Sequence, residues 1–298
     1  MKKNTMTLMA AGVCAAVVAQ AANAAAVSLT GTSYSQNFQT FGTGSVTNAV
    51  VVATTMTEAS TLTGGGSVTG WYVYGQGYTT SNTKWFPADT GSNNGGGFRS
   101  MYSAASGSTA ANYALGADSS GSATPSNYGV VIKNDTGAEI NGATVGFEAF
   151  MNRNPSSTVN TTTVSYLISS TAVAAASGTG VGTFNNSAGT WTNVSGLSFS
   201  TPATGTGAPG TQAAINPMLS LGNKSAQLSG FTWAAGSYLY LRWTDLDEVG
   251  SDATMGMDNF SISVPAPGAV ALIGLAGFRQ HDRATQRHGQ ATQAGQRD

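Results

Sequence analysis

Cysteine and histidine are almost missing from this chain. The one cysteine, Cys14, sits in the N-terminal apolar run, and both histidines, His281 and His288, sit in the C-terminal tail. Between Ala25 and Phe278 there is neither thiol nor imidazole. That removes the usual zinc ligands, the Ser-His-Asp triad and the thiol nucleophile together. It also removes disulfides, so packing and any bound ion must hold the fold. Charge is scarce as well, at 8% of residues. From residue 25 to residue 264 six basic side chains face eleven carboxylates, a balance of −5. Neutralising phosphates needs clustered Lys and Arg, so nucleic acid is excluded as a partner of this region. No apolar run reaches the roughly 20 residues a membrane-spanning helix wants.

What is present is Gly, at 39 residues, with abundant Ser, Thr and Asn, while 41% of residues remain hydrophobic. A core can form, and its surface is built mostly from neutral polar side chains. The first 24 residues have the layout of a cleaved secretory signal: Lys2 and Lys3, an apolar run from Met6 to Ala19, then Ala22-Asn23-Ala24. Turn clusters follow at Gly64-Gly65-Gly66, at 92–97 (SNNGGG), at 119–125 and at 201–210 (TPATGTGAPG). Between them lie runs rich in β-branched and aromatic residues: VTGWYVYG (68–75), YGVVIKN (128–134), ATVGFEAFM (143–151), TTVSYLISS (162–170) and SYLYLRW (237–243). In the last, Leu239, Leu241 and Trp243 share one face, and Tyr238, Tyr240 and Arg242 the other. Helical spacing is confined to the leader and to a brief TAVAAAS (171–177). No fixed-period repeat is present, and Thr is scattered rather than laddered. Short strands and Gly-rich loops predict an all-β domain over 27–263. Its expected architecture is a two-sheet antiparallel β-sandwich, jelly-roll-like, with a signal helix before it and a short apolar helix after it.

The stretch LRWTDLDEVGSDATMGMDNFSIS (241–263) crowds Asp245, Asp247, Glu248, Asp252 and Asp258 into a chain poor in charge. Three readings compete. Asp245, Asp247, Asp252 and Asp258 could supply oxygens to a structural calcium ion, since a hard cation asks for about six to eight oxygens and no helix. The stretch fails as an EF-hand, because Val249 and Gly256 stand where ligands belong. A solvated acidic turn is the simpler reading, because exposed like charges repel only weakly in salt. A pair of catalytic carboxylates is the third, and glycoside hydrolysis is the chemistry that carboxylates alone carry. Glu58, Asp89, Asp118, Glu139 and Glu148 are further candidates for it; Glu148 is offered a strand face, opposite Arg153 or Arg242. Trp85 and Phe86, flanked by polar loops, are the expected sugar-stacking pair; core packing is expected for most other aromatics.

The chain's end, VPAPGAVALIGLAGF (264–278), opens on Val264, Pro265, Ala266, Pro267 and Gly268 and continues apolar to Phe278. It resembles the PEP-CTERM sorting signal of Gram-negative exported proteins, with Ala266 in place of the usual Glu. The same motif is also catalogued as an ice-binding-protein C-terminal motif. A polar tail follows, RQHDRATQRHGQATQAGQRD (279–298), where the family has a compact arginine cluster. The body is similar to a module that accompanies this signal. The matching stretches are YALGADSSGSATPSNYGVVIKNDTGAEINGATVGFE (113–148), TWTNVSGLSF (190–199) and the acidic stretch quoted above. The resemblance implies a surface β-sandwich with no catalytic residues to carry over. It also implies an exosortase-type processing enzyme as partner, brief inner-membrane contact through the C-terminal segment, and passage through the periplasm to the cell surface. Extracellular polysaccharide is the expected associate. The expectation is thus an exported, non-enzymatic surface or biofilm-matrix protein without a cofactor, apart from the calcium reading. A carbohydrate-binding module is the alternative, and a carboxylate-dependent polysaccharide hydrolase a third.

Overall fold

Apolar residues recur here at a spacing of two, between Gly, Ser and Asn turns, so the chain builds strands. The computed structural model describes residues 25–41, 56–59, 68–75, 85–93, 95–104, 110–121, 124–171, 184, 190–210 and 214–266. Both expected terminal helices, and TAVAAAS after Thr171, lie outside them.

Two sheets pack face to face. The first runs β11 (Thr192–Asn193), β10 (Thr161–Ser169), β14 (Tyr238–Asp245), β8 (Ser126–Asn134), β4 (Trp71–Gly75), β3 (Thr57–Glu58), with β1 (Val27–Leu29) added on β8 and β12 (Phe199–Ser200) on β10. The second runs β13 (Leu219–Trp233), β9 (Ile140–Arg153), β15 (Thr254–Ser263), β7 (Asn112–Asp118), β6 (Gly97–Ser103), β5 (Trp85–Asp89), with β2 (Ser33–Gln36) added on β15. The N-terminal strands divide between the sheets: β1 and β2 are three residues apart, yet one joins each layer.

The sheets are mixed, which corrects the expectation of purely antiparallel pairing. β1 lies parallel to β8, with Val27 opposite Ile132, and β5 lies parallel to β6, with Trp85 opposite Phe98. Reasoning from successive hairpins misses the first because β1 meets a strand about a hundred residues later in sequence, and misreads the second because consecutive strands are expected to pair antiparallel. The β5–β6 ladder is irregular between Phe86 and Asp89.

Between the layers the core is aromatic. Trp243 stacks with Tyr128 at 6.1 Å and meets Phe147 at 5.4 Å, Phe260 at 6.0 Å and Trp71 at 6.0 Å between ring centroids. Trp71 donates its indole N–H to the Tyr34 hydroxyl at 2.9 Å, which satisfies the one polar atom of a buried ring. Leu239, Leu241 and Trp243 face this core together, as their alternation predicts. The opposite face of β14 is covered as well: Tyr240 is fully buried, in a second cluster with Tyr72, Tyr74 and Phe184. Gly116 and Gly256 face each other across β7 and β15, and a Cβ on Gly256 would stand 2.6 Å from the Met101 sulfur. The missing side chains are what let that sulfur lie against the sheet.

Candidate functional site

One end of the sandwich gathers most of the buried charge. Arg99, fully buried in β6, reaches Asp89 through Nε at 2.9 Å and both Asp118 oxygens through one terminal nitrogen, at 2.6 and 2.7 Å. The same nitrogen donates to the Gly95 carbonyl. Asp118 also accepts from the Gly97 amide at 2.9 Å and the Thr254 hydroxyl at 3.3 Å, and Asp89 from the Gly91 amide at 2.9 Å. Burial raises the Asp118 carboxyl to about 6, and Arg99 works against that rise. Asp89 and Asp118, weighed as catalytic candidates, are thus the two counter-ions of one guanidinium. An arginine set within an apolar strand segment, GFRSMYS, was the available sequence signal.

The acidic stretch lies beside this network. Asp245 ends β14 and is 1% exposed; its Oδ2 accepts from the Ser119 amide at 2.7 Å, and its Oδ1 has no partner. Glu248 accepts from the Thr161 amide at 3.1 Å through Oε1, while its Oε2 is buried without a partner. Asp252, 5% exposed, accepts from the Glu248 amide at 3.0 Å through Oδ1, and its Oδ2 is likewise orphaned. Asp247 is exposed, with its amide donating to the Thr124 hydroxyl at 3.0 Å. Burial pushes the Asp245 carboxyl well above the carboxylate range, and the charges of Glu248 and Asp252 push it further. Burial likewise raises Asp252 to about 8, with Glu248 and Asp247 adding repulsion. The loop is pinned from outside: Asn160 accepts from the Ala253 amide at 2.6 Å, and the Val249 carbonyl accepts from Ser157 at 3.3 Å. A freely solvated acidic turn does not bury its carboxylates in this way.

Asp258, grouped with these residues in sequence, sits elsewhere. It lies on β15 where β7 and β2 leave a gap along one side: β7 pairs with Met255, Gly256 and Met257, and β2 with Phe260 to Ser263. Its surroundings are Asn112, Glu148 and Asn259, and neither carboxylate oxygen has a partner of hydrogen-bond geometry. Asn259 adopts φ +52°, the left-handed backbone of a bulge. Glu148 accepts from Ser220 at 2.7 Å and from the Asn259 amide group at 3.5 Å; it is paired with neither Arg153 nor Arg242. The Arg242 guanidinium instead lies 3.9 Å above the Trp191 ring and donates to the Phe184 carbonyl at 3.1 Å. Burial raises the Asp258 carboxyl to about 7, and the Glu148 charge adds to the rise. A carboxyl whose pKa is higher folded than unfolded holds more protons when folded, so stability falls as pH climbs from about 4 through 7. Asp258→Asn should therefore flatten that decline and stabilise the domain by about 1–3 kcal/mol at pH 8. Urea unfolding of parent and variant at pH 5 and pH 8 checks it, and equal slopes would contradict the assignment.

Trp85 and Phe86 open β5, with Phe98 and Arg99 as backbone partners, and their side chains lie outside the described residues. In the Val-Pro-Ala-Pro-Gly stretch, Val264 is buried and donates its amide to the Thr32 carbonyl at 2.8 Å, and Pro265 follows it. Pro267 and Gly268 lie outside the described residues. Beside this exit is a cavity of about 480 Å³ whose lining includes Ile140, Gln227, Val264 and Pro265, with Glu139 as its one carboxylate.

No family model matches the chain. No curated protein matches it either. Among solved structures it is similar to the crystal structure of the K2 cleaved adhesin domain of Lys-gingipain. That match has 13% identity, covers 78% of this chain and 98% of that chain, and has a TM-score of 0.32.

Proposed function

We propose that this chain is an exported, non-enzymatic surface or matrix protein, a jelly-roll-like sandwich sorted through its PEP-CTERM-like end. The observation that supports this most is the placement of the motif. β15 ends at Ser263 and Val264 makes a backbone bond to Thr32, so Val-Pro-Ala-Pro-Gly begins at the point where the last strand stops. Processing beyond Val264 would leave every strand of the sandwich intact. At the other end, β1 starts at Val27, three residues after the expected cleavage at Ala24. Chemistry agrees with display rather than turnover. Asp89 and Asp118 serve Arg99, Asp135 pairs with Lys133 at 2.6 Å, and Glu148 accepts from Ser220, so these carboxylates are committed to structural partners. An exosortase-type enzyme would be the processing partner, with brief inner-membrane contact, and extracellular polysaccharide the associate.

Mass spectrometry of both termini in secreted and cell-bound fractions tests this. The expected product begins at Ala25 and ends between Val264 and Phe278. Recovery of the intact chain from the cytosol, or of the unprocessed 279–298 tail on material outside the cell, would count against sorting.

A further inference from the structure

We propose that the 245–252 loop is a calcium site in which Asp245, Glu248 and Asp252 supply carboxylate oxygens and Asp247 closes the site from the solvent side. The argument begins with three orphaned oxygens. Asp245 Oδ1, Glu248 Oε2 and Asp252 Oδ2 are all buried and accept no hydrogen bond, while the second oxygen of each carboxylate is fixed by a backbone amide from Ser119, Thr161 or Glu248. Each carboxylate is thus held by one oxygen and offers the other. The charges bearing on Asp245 are Glu248, Asp252 and Asp118, all of one sign, and the guanidinium nearby is already shared by Asp89 and Asp118. Leaving a buried carboxylate oxygen unpartnered costs a few kcal/mol, and a cluster of them costs more.

A proton can quiet one pair at a time; a divalent cation answers all four groups. Among the described residues no three Asp, Glu, His or Cys side chains stand in an arrangement able to hold a metal ion. Calcium binding therefore requires Asp247 and Glu248, the exposed and the half-buried members of the set, to regroup with Asp245 and Asp252 around the ion. The donor set is all oxygen. Zinc and copper favour nitrogen and sulfur, and magnesium demands a near-ideal octahedron, whereas calcium accepts about six to eight oxygens in irregular geometry. Backbone carbonyls and water complete such a shell. The site would fasten the β14–β15 connection to the 119–126 and 154–161 loops, which already bond to it through Ser119, Thr124, Ser157 and Thr161.

The experiment uses the full chain, dialysed against a chelator and titrated with calcium chloride while heat of binding and the thermal midpoint are followed. One ion per chain is expected. The midpoint should rise roughly 5–10 °C once free calcium reaches about a hundred times Kd, or folding itself should await calcium. Magnesium at the same concentration should give a smaller rise. The variant Glu248→Gln/Asp252→Asn should bind calcium roughly ten- to a hundredfold more weakly. Its metal-free midpoint should be unchanged or higher, since it removes buried unpaired charge. If that variant does not fold, Asp247→Asn, altered at an exposed position, reports the loss of affinity instead. A midpoint that stays constant from chelator to about 10 mM calcium, well above the range of extracellular calcium modules, overturns the proposal. Calcium affinity undiminished in the variants overturns it equally.

Discussion

Arg99→Met loses about 3–5 kcal/mol of folding stability, read as a shift of the urea midpoint at pH 7, because it strands two buried carboxylates without their counter-ion. Arg99 is fully buried, as are Asp89 and Asp118 to within a few per cent, so water cannot take its place. Arg99→Lys should rescue little. The arginine binds Asp89 through Nε and Asp118 through a terminal nitrogen, two directions that one ammonium group cannot supply together. The decisive comparison is the triple variant Arg99→Met/Asp89→Asn/Asp118→Asn. If the loss in the single variant comes from stranded charge, removing all three charges restores most of it. A triple variant less stable than the single one would place the energy in packing instead.

Trp243→Ala comes next, with an expected loss of about 3–5 kcal/mol from the cavity it leaves. The residue lies on β14, the third strand of the first sheet, and its ring meets Trp71, Tyr128, Phe147 and Phe260. Those partners come from both sheets, so the ring is a joint between layers rather than a filler within one. Trp243→Phe should cost less than half as much, since a smaller aromatic keeps part of each contact. The comparison is made by thermal and urea unfolding, and a Trp243→Ala variant within about 1 kcal/mol of the parent would mean that the core closes over the gap.

The strands that runs of β-branched and aromatic residues announced are present nearly where those runs placed them. TTVSYLISS became β10, YGVVIKN lies within β8, and SYLYLRW became most of β14. Each carries several β-branched or aromatic residues that the sheet buries. The longest strand, β13 (Leu219–Trp233), carried no such signal. It is an edge strand, half exposed along its length, and it contains Gly222 and Gly230, so its sequence, LSLGNKSAQLSGFTW, has no reason to look apolar. The parallel β1–β8 pair was illegible for another reason: pairing between distant segments leaves no local trace, while β5 and β6 are consecutive strands that a hairpin reading would pair antiparallel. At the acidic stretch, residue types suggested a cluster, but spacing alone could not tell that the register of β15 carries Asp258 towards Asn112 and Glu148, while the loop turns Glu248 inward. Burial, which decides whether a carboxylate is surface decoration or a strong ligand, is a property of the assembled loops. The Arg99 network was hidden in the same way, since its partners lie 10 and 19 residues away on other strands.

The last strand is an interior one. β15 runs between β9 on one side and β7 and β2 on the other, while β1, only a few residues from the start of the fold, depends on β8 for its place. The second layer therefore has a slot down its middle until residue 263 arrives, and β2 has no neighbour to dock on. Completing that layer therefore depends on long-range pairing by its last strand, the slow regime for topologies rich in distant contacts. The latch is the final ten residues of the sandwich, Thr254–Ser263.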